Sequence, residues 1–375
     1  MASDVDVVIV GAGLAGAAAA WSLARRGRSV ALFEQFEPSH ALGSSHGSAR
    51  IVRRVYEDAL YVSLTGEAFE LWREVESAAG VSLLRILGGL DFGPRRNVPG
   101  IASVLTEAGV PFERVPPAEA EARWPGMRFE GDVIFHPQAG TMDAAGAVTA
   151  LVSLAASLGA TVRYSKPVSS VSASGVVGLA DGTSLTASHV VVAAGGWVSP
   201  LLEPIVALPP MRVTQQQIFH FPRLDPSAPP WPSVIHESAI NAVYHLAGGR
   251  DGGPLDDRKI GEHDGGTECS AASRSGVVDP ASEARVVDYV RRWLPGLSDV
   301  PSSSATCLYT ETPSQDFILD RVGPIVVCSP CSGHGAKFAP LVGELVAGLI
   351  DGTRQVPPRF RLATHRSGLS GAVSL

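Results

Sequence analysis

Val7-Val8-Ile9-Val10-Gly11-Ala12-Gly13-Leu14-Ala15-Gly16 decides how this chain is read. The four apolar residues predict a buried strand and the spaced glycines a tight turn. The Ala-rich run to Arg26, with Gly27 behind it, predicts a helix and its C-cap. A second apolar run, Ser29-Val30-Ala31-Leu32-Phe33, ends at Glu34, 23 residues after Gly11. This order is that of a dinucleotide-binding βαβ unit. Gly11 permits the tight turn, Gly13 lets the backbone approach a pyrophosphate, and Gly16 lets the helix pack closely on the strand. The helix N-terminus offers unpaired N–H groups and a partial positive charge to phosphate. Glu34 can accept hydrogen bonds from a ribose diol, and its charge repels a 2′-phosphate, which disfavours NADP. The fingerprint alone does not separate FAD from NAD.

Composition bounds the rest. At 375 residues the chain exceeds a usual single domain, so two lobes sharing one ligand cleft are expected. Hydrophobic residues at 45% and charged residues at 18% describe a globular protein with a large core. A net charge of −7 and no basic stripe leave no electrostatic footprint for nucleic acid. Met1-Ala2-Ser3-Asp4 has neither a basic nor an apolar region of a leader, and no apolar run is long enough to span a membrane. Four cysteines without a paired framework suit a reducing compartment, so a cytoplasmic location is expected.

Of the 30 basic residues only Lys166, Lys259 and Lys337 are lysines. A chain that otherwise uses Arg keeps Lys where a compact ammonium is needed and a planar guanidinium does not fit. Lys166, beside a Ser and a Pro, reads as chance. The loop Gly43-Ser44-Ser45-His46-Gly47-Ser48-Ala49-Arg50 is rich in small hydrogen-bonding groups and can line a cofactor. Helices are expected around Leu64–Ser77, Ala145–Gly159, Ala281–Leu294 and Leu341–Ile350. The stretch 81–140 mixes apolar runs with Pro-rich turns, and 205–305 reads as β-rich with a loose polar insertion at Gly248–Asp257. A buried strand, His189–Ala193, empties into the turn Ala194-Gly195-Gly196-Trp197, and another, Pro324–Cys328, leads to a second Gly-rich turn. The fold class expected is α/β, α+β overall: a Rossmann-like domain from residues 1–80, 141–205 and 306–375, and a β-sheet-rich substrate domain from 81–140 and 206–305. Low complexity is confined to the last ten residues.

Six ordered motifs resemble the monomeric sarcosine oxidase and N-methyltryptophan oxidase family, within the D-amino acid oxidase fold group. They are the fingerprint; Ser45-His46-Gly47-Ser48-Ala49-Arg50-Ile51-Val52-Arg53; Ala194-Gly195-Gly196-Trp197; Lys259-Ile260-Gly261-Glu262-His263; Cys307-Leu308-Tyr309-Thr310; and Ser332-Gly333-His334-Gly335-Ala336-Lys337-Phe338. The resemblance covers nearly the whole chain and implies FAD. It implies that Gly11, Gly13, Gly16, Glu34, Ser44, Ser45, His46, Arg50, Val168, Gly195, Trp197, Gly333 and Gly335 contact the cofactor, with Lys337 close by. Cys307 falls where the family bonds its flavin. A thiolate is a suitable nucleophile for that attachment, although a free cysteine is most often a small core thiol. Arg53 and Lys337 match the pair that grips a substrate carboxylate. Lys259 matches an ammonium that stabilises charge developing on O₂. His263 matches a histidine that binds or deprotonates the amine, and a loop histidine is otherwise often only solvated. Tyr309, and after it Tyr244, can wall the pocket or supply a hydroxyl.

Cys328-Ser329-Pro330-Cys331 with His334 lacks the second pair that a tetrahedral metal site requires, so no metal is expected. Departures from the family pattern fall at Glu262, where relatives carry an aromatic, at Ala336, where they carry a bulky residue, and at the Gly248–Asp257 insertion. They point to a wider or more polar pocket, suited to a larger N-methyl amino acid or a cyclic, proline-like secondary amine. The implied enzyme is a monomer that oxidises a small carboxylate-bearing secondary amine to an imine and reduces O₂ to H₂O₂. Three alternatives stay open: a flavin dehydrogenase with another acceptor, a D-amino acid oxidase acting on a primary amine, and a non-catalytic FAD-binding protein.

Overall fold

The computed structural model describes residues 4–263 and 265–366. Met1–Ser3, which open the stretch read as lacking a leader, and the tail 367–375 lie outside the described residues. The apolar run expected to start the chain is the strand Val5–Val10, and its last four residues are buried. It pairs in parallel with Val30–Phe33 on one side and with Ser184–Val192 on the other. Thr161–Arg163 extends the sheet beyond Val30–Phe33, and Ile325–Ser329 extends it beyond Ser184–Val192, both in parallel. Parallel strands present all their C-terminal ends along one sheet edge, which is where open α/β sheets bind ligands. Ile318–Val322 and the hairpin Val168–Val171/Val176–Leu179 add antiparallel margins.

Leu14–Ala24 lies against this sheet and packs on the helices Ala339–Asp351 and Ala144–Ser157. The approach is close because Gly16 has no side chain. A Cβ there would lie 1.8 Å from the Gly11 carbonyl oxygen. The expected helices form with modest changes in extent, at Ala59–Ala79, Ala144–Ser157, Pro280–Trp293 and Ala339–Asp351. The first is longer than periodicity suggests because Asp58 caps it, accepting from Leu60 N, and Gly80 closes it at φ 65°.

The second sheet runs, in spatial order, Thr267–Glu268, Arg212–Phe221, Arg258–Glu262, Ala242–Ala247, Ser233–Glu237, Gly89–Phe92, Val133–His136, Glu113–Val115. Ser303–Glu311 pairs with Arg212–Phe221 along its length, from Arg212 opposite Glu311 to His220 opposite Ser303. The boundary expected at residue 306 therefore cuts a strand, and Cys307 enters from the second sheet. Side chains alternate across this sheet. Phe219, Phe221 and Ile260 join Val286 and Val290 of the helix Pro280–Trp293 in one core cluster. Ile218, His220 and Lys259 face the opposite way, into a cavity between the sheets.

Two further expectations are corrected. The stretch 81–140 contains helices at Val98–Glu107 and Pro117–Arg123, whose prolines occupy the first helical turn rather than loops. The Gly248–Asp257 insertion is held rather than loose: Asp251 accepts from Ser48 N at 2.7 Å, and its own N–H donates to Ser48 Oγ at 2.9 Å. Among the described residues no helix is long and apolar enough to cross a membrane. Substituting Gly16→Ala is expected to destabilise the protein by about 1–3 kcal/mol through overpacking of the helix–strand contact. A urea midpoint that falls with an unchanged slope checks this.

Candidate functional site

The C-terminal edge of the first sheet and one face of the second enclose a cavity of about 1040 Å³. Of the residues expected at the site, only Gly16 stands behind its wall; the others line it. At one end lies the turn Gly11–Leu14. Glu34 Oε2 accepts from Ala12 N at 2.9 Å and Oε1 from Phe36 N at 3.1 Å, so the end of Val30–Phe33 is tied to the turn. Ser45 Oγ accepts from Leu14 N at 3.0 Å at the start of the helix. Trp197 meets Phe36 edge-on at 5.7 Å between centroids, and Val168 closes the rim. Lys166 is also on this rim, paired with Asp181 at 3.0 Å.

In the middle, Arg50 gathers the 44–50 loop by donating to the carbonyls of Ser44 at 3.2 Å, His46 at 2.5 Å and Ala49 at 2.9 Å. Ser44 Oγ donates to Leu308 O at 2.7 Å, which ties the loop to the strand carrying Cys307. Lys259 Nζ donates to Ala49 O at 3.0 Å. Burial, with Arg50 nearby, pushes the Lys259 ammonium down to about 7. Burial chiefly, and the cations of Arg50 and Lys259, push His46 down to about 4. Cys307 is buried opposite Gln216. Tyr244 and Tyr309 lie close to each other, and burial pushes both phenols up. Tyr244 fits because its cross-strand partner is Gly261, where a Cβ would lie 2.6 Å from the hydroxyl.

At the far end Arg53 donates to Asp91 at 3.1 Å and to Val55 O. Lys337 Nζ donates to His334 O at 2.8 Å and to Tyr56 Oη at 3.0 Å. Both cations are about 4% exposed, and burial together with Arg53 holds Lys337 well below the usual lysine range. His263 and Tyr309 lie 5.9 Å apart between ring centroids, both against Gly333. Gly333 has φ 75°, and a Cβ would lie 2.8 Å from the Tyr309 ring, so only glycine fits. Ala336 lines the cavity, but Glu262 does not shape it. Strand alternation turns Glu262 to the opposite face, where Arg285 pairs with it at 2.9 Å. Cys328 and Cys331 are free thiols on the cavity wall, and burial pushes the Cys331 thiol up to about 11.

Sequence reasoning missed several groups. Arg96 binds Asp91 at 2.7 Å and Glu237 at 2.9 Å, and Glu237 and Asp251 reach the cavity. His220 lines it too, its Nδ1 3.0 Å from Ser303 Oγ. Tyr56 stands one layer behind. Asp91 carried a signal, being a lone acid inside the buried strand Gly89–Phe92. The others are brought in by strands distant in sequence.

These residues fit a bound dinucleotide. The helix Leu14–Ala24 starts at the cavity edge and brings its partial positive charge there, although Ala12 N and Leu14 N are taken by Glu34 and Ser45, and His46 Nε2, buried on the cavity wall, has no hydrogen-bond partner within the protein. A family model described as FAD dependent oxidoreductase, DAO, matches residues 6–349. The chain is 32% identical over 374 residues to the monomeric sarcosine oxidase of Streptomyces avermitilis, covering 95% of this chain and 96% of that one. It is 29% identical over 377 residues to the peroxisomal sarcosine oxidase of Mus musculus, covering 96% and 95%. Among solved structures, the open form of NikD, an unusual amino acid oxidase essential for nikkomycin biosynthesis, matches with a TM-score of 0.84 at 26% identity, covering 99% and 98%. The chain thus belongs to the FAD dependent oxidoreductase family, together with the monomeric sarcosine oxidases.

Proposed function

We propose that this protein is a flavin-dependent amine oxidase that converts a carboxylate-bearing secondary amine, an N-methyl or cyclic amino acid, to its imine and reduces O₂ to H₂O₂. The observation that carries the reading is one continuous cavity, with the dinucleotide cradle at one end and the buried cations Arg53 and Lys337 at the other. FAD, when bound, supplies the acceptor for the two electrons of the amine and passes them on to O₂.

The residues divide the remaining work. Gly11, Gly13 and the start of the helix Leu14–Ala24 hold the pyrophosphate, and Glu34 holds the adenosine ribose. Gly16 permits the close docking of that helix. Ser44, Ser45, His46, Arg50, Val168, Gly195, Trp197, Gly333 and Gly335 wall the rest of the cofactor, and Cys307 Sγ is its covalent attachment point. Arg53 and Lys337 bind the substrate carboxylate by charge-assisted hydrogen bonds and so orient the neighbouring C–N bond. His263, on the same wall, takes the proton that the amine must lose before it is oxidised. Tyr309 and Tyr244 wall the substrate end. Lys259, buried and held by Ala49 O, places a positive charge where electrons reach O₂. The enzyme works as a monomer, and four cysteines that form no disulfide with one another suit the reducing cytoplasm.

Acid precipitation of the purified protein is expected to give a yellow pellet whose intact mass exceeds the chain by one FAD, and Cys307→Ala to release all flavin to the supernatant. Flavin released by the wild-type protein would remove Cys307 from the reading. Lys337→Met is expected to raise the KM for the amino acid by about 10- to 100-fold, the loss of one charged hydrogen bond, measured by peroxide release. Lys259→Met should leave anaerobic bleaching by substrate nearly intact and slow reoxidation by O₂ by about 10²- to 10³-fold. Equal reoxidation rates in stopped-flow traces would contradict that role, and rapid turnover only with an artificial acceptor would make the protein a dehydrogenase.

The same lysine gives a pH signature. Its folded value of about 7 lies below the ordinary 10.5, so between those values the unfolded chain binds more protons and stability rises with pH. In flavin-free Cys307→Ala protein, Lys259→Met should raise the urea midpoint most below pH 7, with the gain shrinking toward pH 10.5. A gain independent of pH would place the ammonium in water.

A further inference from the structure

An ammonium has three N–H donors, and two of those of Lys337 are used inside the protein, on His334 O and Tyr56 Oη. The direction of the second bond follows from a chain of partners. His334 Nε2 lies 3.1 Å from Gln315 O, a carbonyl that can only accept, so Nε2 carries the hydrogen. Burial and the neighbouring Lys337 keep this imidazole neutral, leaving Nδ1 as an acceptor. Tyr56 Oη, 3.2 Å from Nδ1, therefore donates its only hydrogen to His334 and turns its lone pairs toward Lys337. Gln315 presents its carbonyl from φ 60°, a left-handed conformation that a non-glycine residue holds only where its surroundings fix it.

The phenol is fixed as firmly as its hydrogen. Tyr56 is fully buried and stacks on Tyr61 at 5.2 Å between centroids, and Tyr61 in turn donates to Asp316 at 2.9 Å. Arg53 Cζ sits 4.8 Å and Lys337 Nζ 5.5 Å from the centre of the Tyr56 ring. One tyrosine thus stands beside two cations that otherwise repel each other, its ring meeting Arg53 and its hydroxyl oxygen meeting Lys337. The Lys337 backbone is pinned as well, its carbonyl accepting from Trp72 Nε1 at 2.7 Å.

We propose that Tyr56 is a positioning residue for substrate recognition: with His334 it orients the Lys337 ammonium so that the remaining N–H meets a carboxylate in the cavity, and so sets selectivity for a charged over an uncharged group at that end of the substrate. Tyr56 does not line the cavity, so it acts through Lys337. The inference rests on the reading of Lys337 as a carboxylate contact.

The test uses the flavin-loaded enzyme and two unreactive ligands read by flavin difference absorbance. Methoxyacetate has an ether oxygen where an N-methyl amino acid has its nitrogen, and methoxyacetamide is its uncharged partner. Tyr56→Phe keeps the buried ring and removes the hydroxyl. It is expected to weaken methoxyacetate by about 10-fold or more, the scale of a lost charged hydrogen bond, and to leave methoxyacetamide affinity, flavin content and thermal midpoint nearly unchanged. Equal weakening of both ligands, or of neither, overturns the proposal. His334→Leu removes the acceptor that directs the phenol; it is expected to shift the same ratio in the same direction, and it decides the matter if Tyr56→Phe does not fold. Lys337→Met separates the two levels. If it leaves the preference for the carboxylate intact, the carboxylate reading itself fails; if it abolishes the preference and Tyr56→Phe does not, only the positioning role fails.

Discussion

Arg50, Arg53, Lys259 and Lys337 all face one cavity, and much of the surrounding structure serves to keep these cations there. Burying a positive charge is costly unless it is hydrogen-bonded or paired. Among the described residues only Arg53 has a carboxylate in contact, Asp91, which Arg96 shares. The others are held by backbone carbonyls: Arg50 by Ser44, His46 and Ala49, Lys259 by Ala49, Lys337 by His334. Carbonyls orient a cation without neutralising it. Burial, and after it the neighbouring arginines, therefore depress Lys259 and Lys337. Such a cavity is electrostatically complementary to a ligand that brings negative charge, as a dinucleotide and an amino acid carboxylate both do.

Two lobes are needed to build it because each supplies what the other lacks. A parallel sheet aligns its strand ends and one helix start along a single edge, which suits phosphates but places few side chains beyond that edge. The second, largely antiparallel sheet turns every second side chain toward the ligand and the rest toward its own helix. Lys259 and Ile260 show the division within one strand: the lysine faces the cavity, and the isoleucine joins the core under the helix Pro280–Trp293. The same alternation sends Glu262 away from the ligand to Arg285. A departure from a family pattern in the linear sequence is thus not always a change in the pocket: Ala336 lines the cavity and Glu262 does not.

Much of the first sheet was legible from local pattern. The run Val7–Val10, the spaced glycines and the acid at position 34 each carry a steric or electrostatic requirement that a few neighbouring residues meet by themselves. Helix extents were legible to within a turn where caps and periodicity agree, as at Ala144–Ser157. The helices starting near Pro99 and Pro117 were hidden because proline serves both a turn and a first helical turn. The Gly248–Asp257 insertion read as loose because its anchor, Ser48, lies 203 residues away from Asp251.

By itself the sequence determined that a dinucleotide-binding unit opens the chain, that three lysines in an arginine-rich protein needed a reason, and which motifs it shares with flavin amine oxidases. Those signals are local, written in glycine spacing, strand periodicity and short runs around single residues. Only the tertiary structure decided that Cys307 reaches the cavity from the second sheet, that Glu262 does not, and that Tyr56 and His334 stand behind Lys337. Each of those facts depends on which face of a strand meets the ligand, or on contacts between residues as far apart as 281 positions. The pairing of distant strands sets both.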